Sequence, residues 1–341
     1  MRGLVFPGDR QARIEEFDDP QPGHGEVVVA VRAAAICGSD MHGYRATSAE
    51  RSASGASGII PGHEPSGVVH AVGGGVHNVK VGDRVAVYHF RSCGFCPECQ
   101  GGRLMWCDTR RGYGGPIHGS DADYLLTDAR NCLPLPDDAS FALGAIFMCV
   151  GGTAFQAMKK LDARPGRRIA VFGLGPVGLA GLLYARAMGA EVIGIDRSPQ
   201  RLELAGTLGA DALVDAGAED VAAAVRRWSG KDGVSGSFET SGTAAAQTVS
   251  VDVTGRGGSV AFVGFGSGAP SITPADIIVK QLSLMGSFVF PIDAYYTMLD
   301  FVVREKVPLE ATITHTVPLA DAPDILPAFD RGETGKVILV P

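Results

Sequence analysis

Short β-rich runs at residues 27–31, 67–72 and 84–88 are cut by turn formers: Pro20-Gln21-Pro22-Gly23, Gly73-Gly74-Gly75 and Gly82-Asp83. Strands this short between Gly/Pro punctuation predict an antiparallel, barrel-like sheet from residue 3 to about 136. The stretch 46–58 is rich in Ser, Ala and Gly and reads as a mobile surface loop.

After Arg164-Pro165-Gly166 the pattern changes. Strands at 168–172, 191–196, 212–214, 237–239 and 260–264 alternate with helices at 176–188, 199–208, 221–228 and 244–251. Alternating βα units predict a doubly wound parallel sheet, an α/β fold. Beyond Gly286 the elements are again short and mixed, ending in a strand at 336–340.

With 341 residues, two domains are expected. A net charge of −7 offers no basic surface for nucleic acid or anionic lipid. Residues 1–10 lack the apolar core of a signal peptide, and the apolar run 177–190 is too short and too broken to span a bilayer. A reducing cytoplasm is therefore the expected compartment, and there clustered cysteines read as metal ligands rather than disulfides.

Six of the seven cysteines fit that reading. Cys93, Cys96, Cys99 and Cys107 follow C-x2-C-x2-C-x7-C, enough thiolates to close a tetrahedral zinc site with no open position. Iron–sulfur ligation is the rival; the bacterial ferredoxin run has a shorter last gap and a proline after its final cysteine, whereas here Pro97 follows the second. Cys37, in Cys37-Gly38-Ser39-Asp40-Met41-His42, and His63, in Gly62-His63-Glu64, offer the mixed S/N ligands of a catalytic zinc. Each is weak alone, since a lone Cys is usually a small buried hydrophobe.

Gly173-Leu174-Gly175-Pro176-Val177-Gly178 follows an apolar strand and opens a helix, the placement a dinucleotide fingerprint requires. The first glycine turns the chain, the second admits the pyrophosphate and the third lets helix pack on strand, while the helix N-terminus receives the negative charge. Asp196 ends the next strand, where a carboxylate holds the adenosine ribose hydroxyls and favours NAD. Arg197, Ser198 and Arg201 beside it suit a phosphate and keep NADP open.

Together these motifs resemble the zinc-containing medium-chain alcohol dehydrogenase family, over nearly the whole chain. The resemblance implies a GroES-like, mostly β catalytic domain at 1–150, completed by 288–341, and a Rossmann NAD-binding domain at 151–287. It implies Cys37 and His63 as catalytic zinc ligands and Cys149, in Phe147-Met148-Cys149-Val150, as the third. Cys132 is the competing thiol and reads as a buried structural residue. An open position on such a zinc lowers the pKa of a bound hydroxyl. Ser39 and His42 resemble the family's proton relay, Asp40 the carboxylate that orients the ligating histidine, and Glu64 the acidic neighbour that tunes the metal.

The activity so implied is reversible oxidation of a primary or secondary alcohol or polyol by hydride transfer to NAD, with one catalytic and one structural zinc per chain. The alternatives are an NADP-preferring aldehyde or ketone reductase on the same scaffold and a non-catalytic NAD-binding protein. Related threonine dehydrogenases place a histidine three residues before the first lobe cysteine. Phe90 stands there, with His89 one earlier, which counts against threonine. Met148, Ser287 and Phe288 are candidate pocket residues. A homodimer or tetramer is expected, built on a sheet edge from 260–264 and 282–289.

Overall fold

A computed structural model describes residues 1–266 and 268–341, which form two compact units. The first comprises 1–149, 291–295 and 313–341; the second comprises 150–290 and 296–312. Residues 150, 288–290 and 296–312 thus group with the second unit, whereas the sequence places 1–150 and 288–341 in the first.

In the first unit the strand Glu26–Ala35 is the organiser. One edge pairs antiparallel with Pro65–Val72. The other edge is shared: Tyr124–Asp128 takes its first half, and Ile338 and Leu339 of the strand Lys336–Val340 take Ala35 and Ala34. Arg84–Val87, Cys132–Pro134 and Ile313–Pro318 complete a seven-stranded sheet. Leu4, Phe6, Val27, Val29, Val31, Val69, Val85, Val87 and Leu339 are buried in one core. The Val-rich runs supply branched side chains that pack well on a pleated surface.

The expected mobile loop at 46–58 is instead partly helical, over Ser48–Ala53. Thr47 accepts from the Glu50 amide, while Glu50 accepts from the Thr47 amide at 2.8 Å. This reciprocal capping box satisfies donors that would otherwise fray the first turn. The signal was present in Thr47-Ser48-Ala49-Glu50 and was outweighed by the small-residue composition.

The second unit is a six-stranded parallel sheet in the order Ala212–Asp215, Glu191–Asp196, Arg168–Phe172, Val234–Glu239, Thr254–Phe262, Ser283–Gly286. That is the doubly wound order of a Rossmann fold. Caps set the helices: Ser198 precedes Pro199, and the Asp220 and Thr243 side chains accept from Ala223 and Ala246. Residues 260–262 lie inside the sheet, so the only part of the expected edge that forms one is Ser283–Gly286.

Among the described residues, one helical stretch, Phe141–Lys160, is long and apolar enough to cross a bilayer, and most of it is buried within the protein.

Candidate metal centres and nucleotide fingerprint

Four side chains from distant segments converge in the first unit. Cys37 follows the strand Glu26–Ala35, His63 and Glu64 precede the strand Pro65–Val72, and Cys149 lies in the π-helical turn Phe147–Gly151. Such turns recur at functional sites because the extra residue re-aims a side chain. One potential ligand atom from each of the four lies within 4.8 Å of the others. Cys37 Sγ and Cys149 Sγ are 4.0 Å apart. A tetrahedron with Zn–S bonds of about 2.3 Å has an S···S edge of about 3.8 Å, so the donors fit zinc. Cys132 is buried in the apolar core instead, its thiol pushed up to about 12 by burial.

The local electrostatics favour a thiolate beside an oriented imidazole. The Cys37 thiol is held well below its ordinary value, first by the bond from Cys149 and then, against burial, by His63. Burial opposes a charged His63, yet Asp40 and Cys37 raise its pKa well above the usual histidine range. His63 Nδ1 is 3.1 Å from Asp40 Oδ1, which leaves Nε2 for a metal. Asp40 Oδ2 also accepts the Cys37 amide at 2.8 Å, so one carboxylate braces two candidate ligands. Gly62 makes the turn possible. Its φ is +91°, and a Cβ there would stand 2.1 Å from Asp121 Oδ1.

Ser39 and His42 sit at the start of the helix Asp40–Arg45 and line the same cavity as His63. His42 Nδ1 is 3.1 Å from the Ser39 carbonyl. His89 lies beside the centre, its ring 6.1 Å from that of His63. Burial, and then His63, push His89 down to about 3, so it is neutral. Its Nδ1 bonds the carbonyl of Met148, itself fully buried.

Two buried neighbours were not found from sequence. Lys336 Nζ reaches Glu64 Oε2 at 2.7 Å and donates to the Ile36 carbonyl at 2.8 Å, both ionisable side chains being fully buried. A lysine heading the apolar run Val337-Ile338-Leu339-Val340 was the available signal. Asp121, 1% exposed, is kept toward its neutral form by burial and by nearby Asp40. Nothing in its sequence context marks it.

The four-cysteine lobe is a separate cluster in the same unit. The ligand atoms of Cys93, Cys96, Cys99 and Cys107 lie within 4.8 Å of one another. Cys93 Sγ is 3.8 Å from Cys99 Sγ and 3.7 Å from Cys107 Sγ, again near the tetrahedral edge. The Cys96 amide points at Cys93 Sγ and the Cys93 amide at Cys107 Sγ, at 3.4 and 3.5 Å. Amide donors of this kind stabilise thiolates.

In the second unit, Gly173 has φ +87°, and a Cβ on Gly178 would fall 1.9 Å from the Gly173 carbonyl oxygen. Gly175 differs, because a Cβ there would meet only the tip of Arg201, at 3.9 Å. The chain itself therefore does not demand glycine at 175, whereas a closely approaching pyrophosphate would. Pro176 and Val177 open the helix Pro176–Ala187. Asp196 Oδ2 accepts the Leu174 amide at 2.6 Å, and Oδ1 accepts the amides of Arg197 and Ser198. Arg201 Nη1 stands 4.0 Å from Asp196. Ser287 is buried in this unit, and Phe288 is partly exposed against Phe265.

Residues 23–137 match the alcohol dehydrogenase GroES-like domain, and residues 176–304 match the zinc-binding dehydrogenase domain. An uncharacterised zinc-type alcohol dehydrogenase-like protein, YphC of Escherichia coli, is 31% identical over 99% of this chain and 98% of its own. An alcohol dehydrogenase of Geobacillus stearothermophilus is 31% identical over 96% of this chain and 95% of its own. The solved structure of alcohol dehydrogenase TADH from Thermus sp. ATN1 superposes with a TM-score of 0.90 at 31% identity, covering 100% of this chain and 99% of the other. The chain belongs to the zinc-containing medium-chain dehydrogenase family, a family of oxidoreductases.

Proposed function

We propose that this protein is an alcohol dehydrogenase that reversibly oxidises a primary or secondary alcohol or polyol, with NAD as hydride acceptor. The convergence of Cys37, His63 and Cys149 beside a cavity carrying Ser39 and His42 carries this reading. These three side chains would hold a catalytic zinc, and Cys93, Cys96, Cys99 and Cys107 a structural one. Bound at the first site, zinc supplies a Lewis acid that lowers the pKa of the substrate hydroxyl.

The remaining work falls to the chain. The Ser39 hydroxyl accepts the substrate proton, and His42 passes it toward solvent. Asp40 holds the His63 ring in the tautomer that leaves Nε2 basic. Lys336 holds Glu64 in place beside the metal-binding side chains, working against the burial that pushes the Glu64 carboxyl well above its ordinary range.

A panel of primary, secondary and polyhydroxylated alcohols, followed by cofactor reduction, tests the reading; no turnover of any alcohol overturns it. Relatives at similar identity are named for L-threonine and for 2R,3R-butanediol, so the scaffold admits more than one alcohol. Protein purified without chelator or added metal is expected to contain about two zinc ions per chain, one for each donor set. Metal analysis finding iron in the lobe, or full activity with a single site ever filled, would contradict the division of ligands.

The cofactor preference hangs on Asp196. Two charge-assisted bonds to the adenosine ribose favour NAD, and a 2′-phosphate would meet a like charge. The expected kcat/KM ratio of NAD to NADP is about 10- to 100-fold, or about 1.4–2.8 kcal/mol. Asp196→Ser should shrink or invert it, because Arg201 and Arg197 then lose their acidic neighbour. Equal use of both cofactors by the unmodified protein refutes the NAD assignment and leaves the dehydrogenase reading standing.

A further inference from the structure

The helix Ser48–Ala53 carries one buried charge, the guanidinium of Arg51. Arg51 is 6% exposed. Its Nε donates to the Phe6 carbonyl at 3.1 Å and its Nη2 to the Ala56 carbonyl at 2.7 Å. A guanidinium has five N–H donors, so these bonds leave the Nη1 pair unused. Among the described residues no carboxylate pairs with it, and burial draws its pKa below the ordinary arginine value. A buried cation without a counter-charge is costly, which makes the position informative.

Arg51 has a definite outlet. A Cβ on Gly43 would stand 3.1 Å from Nη1, so the free end of the guanidinium lies against the residue that follows His42. Arg51 lines a cavity of about 280 Å³ together with Ser39, His42, His63 and the segment 112–116. That is near the lower end of ordinary ligand cavities, the size for a short-chain molecule. Asp40 also lines it, but its oxygens are engaged by the Cys37 amide and the His63 ring. Arg51 is therefore the cavity's uncompensated permanent charge.

We infer that Arg51 is an oxyanion-binding residue of the substrate cavity, and that the preferred substrate is a short alcohol bearing a carboxylate or phosphate group. This rests on the dehydrogenase reading of the neighbouring Cys37, His63 and Cys149. A guanidinium suits both oxyanions through directional, charge-assisted hydrogen bonds. Recognition at this point would hold the far end of the substrate while its hydroxyl lies toward His63 and Ser39. A neutral alcohol of the same length would leave the guanidinium desolvated and unpaired, and selectivity follows from that asymmetry.

The test compares matched pairs: a hydroxy acid against its amide, and a phosphorylated polyol against the free polyol. One anionic partner is expected to exceed its neutral twin in kcat/KM by at least about 10-fold, the scale of a single charge-assisted bond. The pair showing the larger ratio tells carboxylate from phosphate. Gly43→Ala, which crowds Nη1 but keeps both carbonyl bonds of Arg51, should bring that ratio toward one. Arg51→Gln should do the same by removing the charge, and if it fails to fold, the Gly43 variant still decides. Catalysis-free binding is read from thermal stability in acetate or inorganic phosphate against chloride at matched ionic strength, with stabilisation expected in the unmodified protein and reduced in the Gly43 variant. A ratio near one in the unmodified protein, or a preference that survives both substitutions, overturns the inference alone. No turnover of any alcohol, neutral or anionic, sinks the dehydrogenase reading as well.

Discussion

Replacing Cys37 with serine or His63 with alanine is expected to lower kcat by at least about 10³-fold while leaving nucleotide affinity within a few-fold of the unmodified protein. The size follows from the Lewis-acid contribution of a catalytic metal, several kcal/mol, where about 4 kcal/mol corresponds to 10³. The separation follows from architecture. Cys37 and His63 lie on the mostly β unit, whereas the glycine turn 173–178 and Asp196 belong to the other. His63→Ala also strands the Asp40 carboxylate, which then keeps the Cys37 amide as its remaining bond of the two. Stopped-flow hydride transfer, with NAD affinity from fluorescence, separates the two effects. If either variant retains more than about a tenth of the unmodified rate, the proposed ligand set is wrong.

Cys99→Ser should act in a different currency. A closed four-thiolate site leaves no position for substrate, so its metal contributes folding free energy rather than chemistry. Besides the thiolates, the lobe is anchored mainly by the buried Leu104 and Met105. Its strands Phe90–Arg91 and Arg111–Gly112 form a two-residue pairing, and Phe95 and Trp106 are exposed, 77% and 56%. Without the fourth thiolate the lobe should unravel, with a fall in Tm of about 10 °C, the shift expected for about 3 kcal/mol in a domain of this size. Zinc content should fall from about two to about one per chain. Per folded molecule, kcat should stay within a few-fold. A variant as stable as the parent and merely slow would reverse the roles assigned to the two sites.

What could be read from the chain alone were the features whose parts lie close together in sequence. Cys93, Cys96, Cys99 and Cys107 fit in one short lobe, so their spacing already limits which atoms can meet. The glycine turn 173–178 is likewise local, and each βα repeat announces itself through its own apolar period and caps. A capping box at Thr47 and Glu50 was equally local, yet composition concealed it.

Tertiary structure alone decided what depends on sheet register. Lys336 meets Glu64 because the strand Lys336–Val340 pairs with the end of Glu26–Ala35, some 300 residues away. Arg51 reads in sequence as an ordinary surface arginine, and only the packing of its short helix on the Phe6 carbonyl turns it into a buried charge facing the cavity. Sequence spacing constrains a site when one loop carries all its donors. When strands carry them, a one-residue slip would turn every side chain to the opposite face, so their meeting is settled by pairing and packing across the whole sheet.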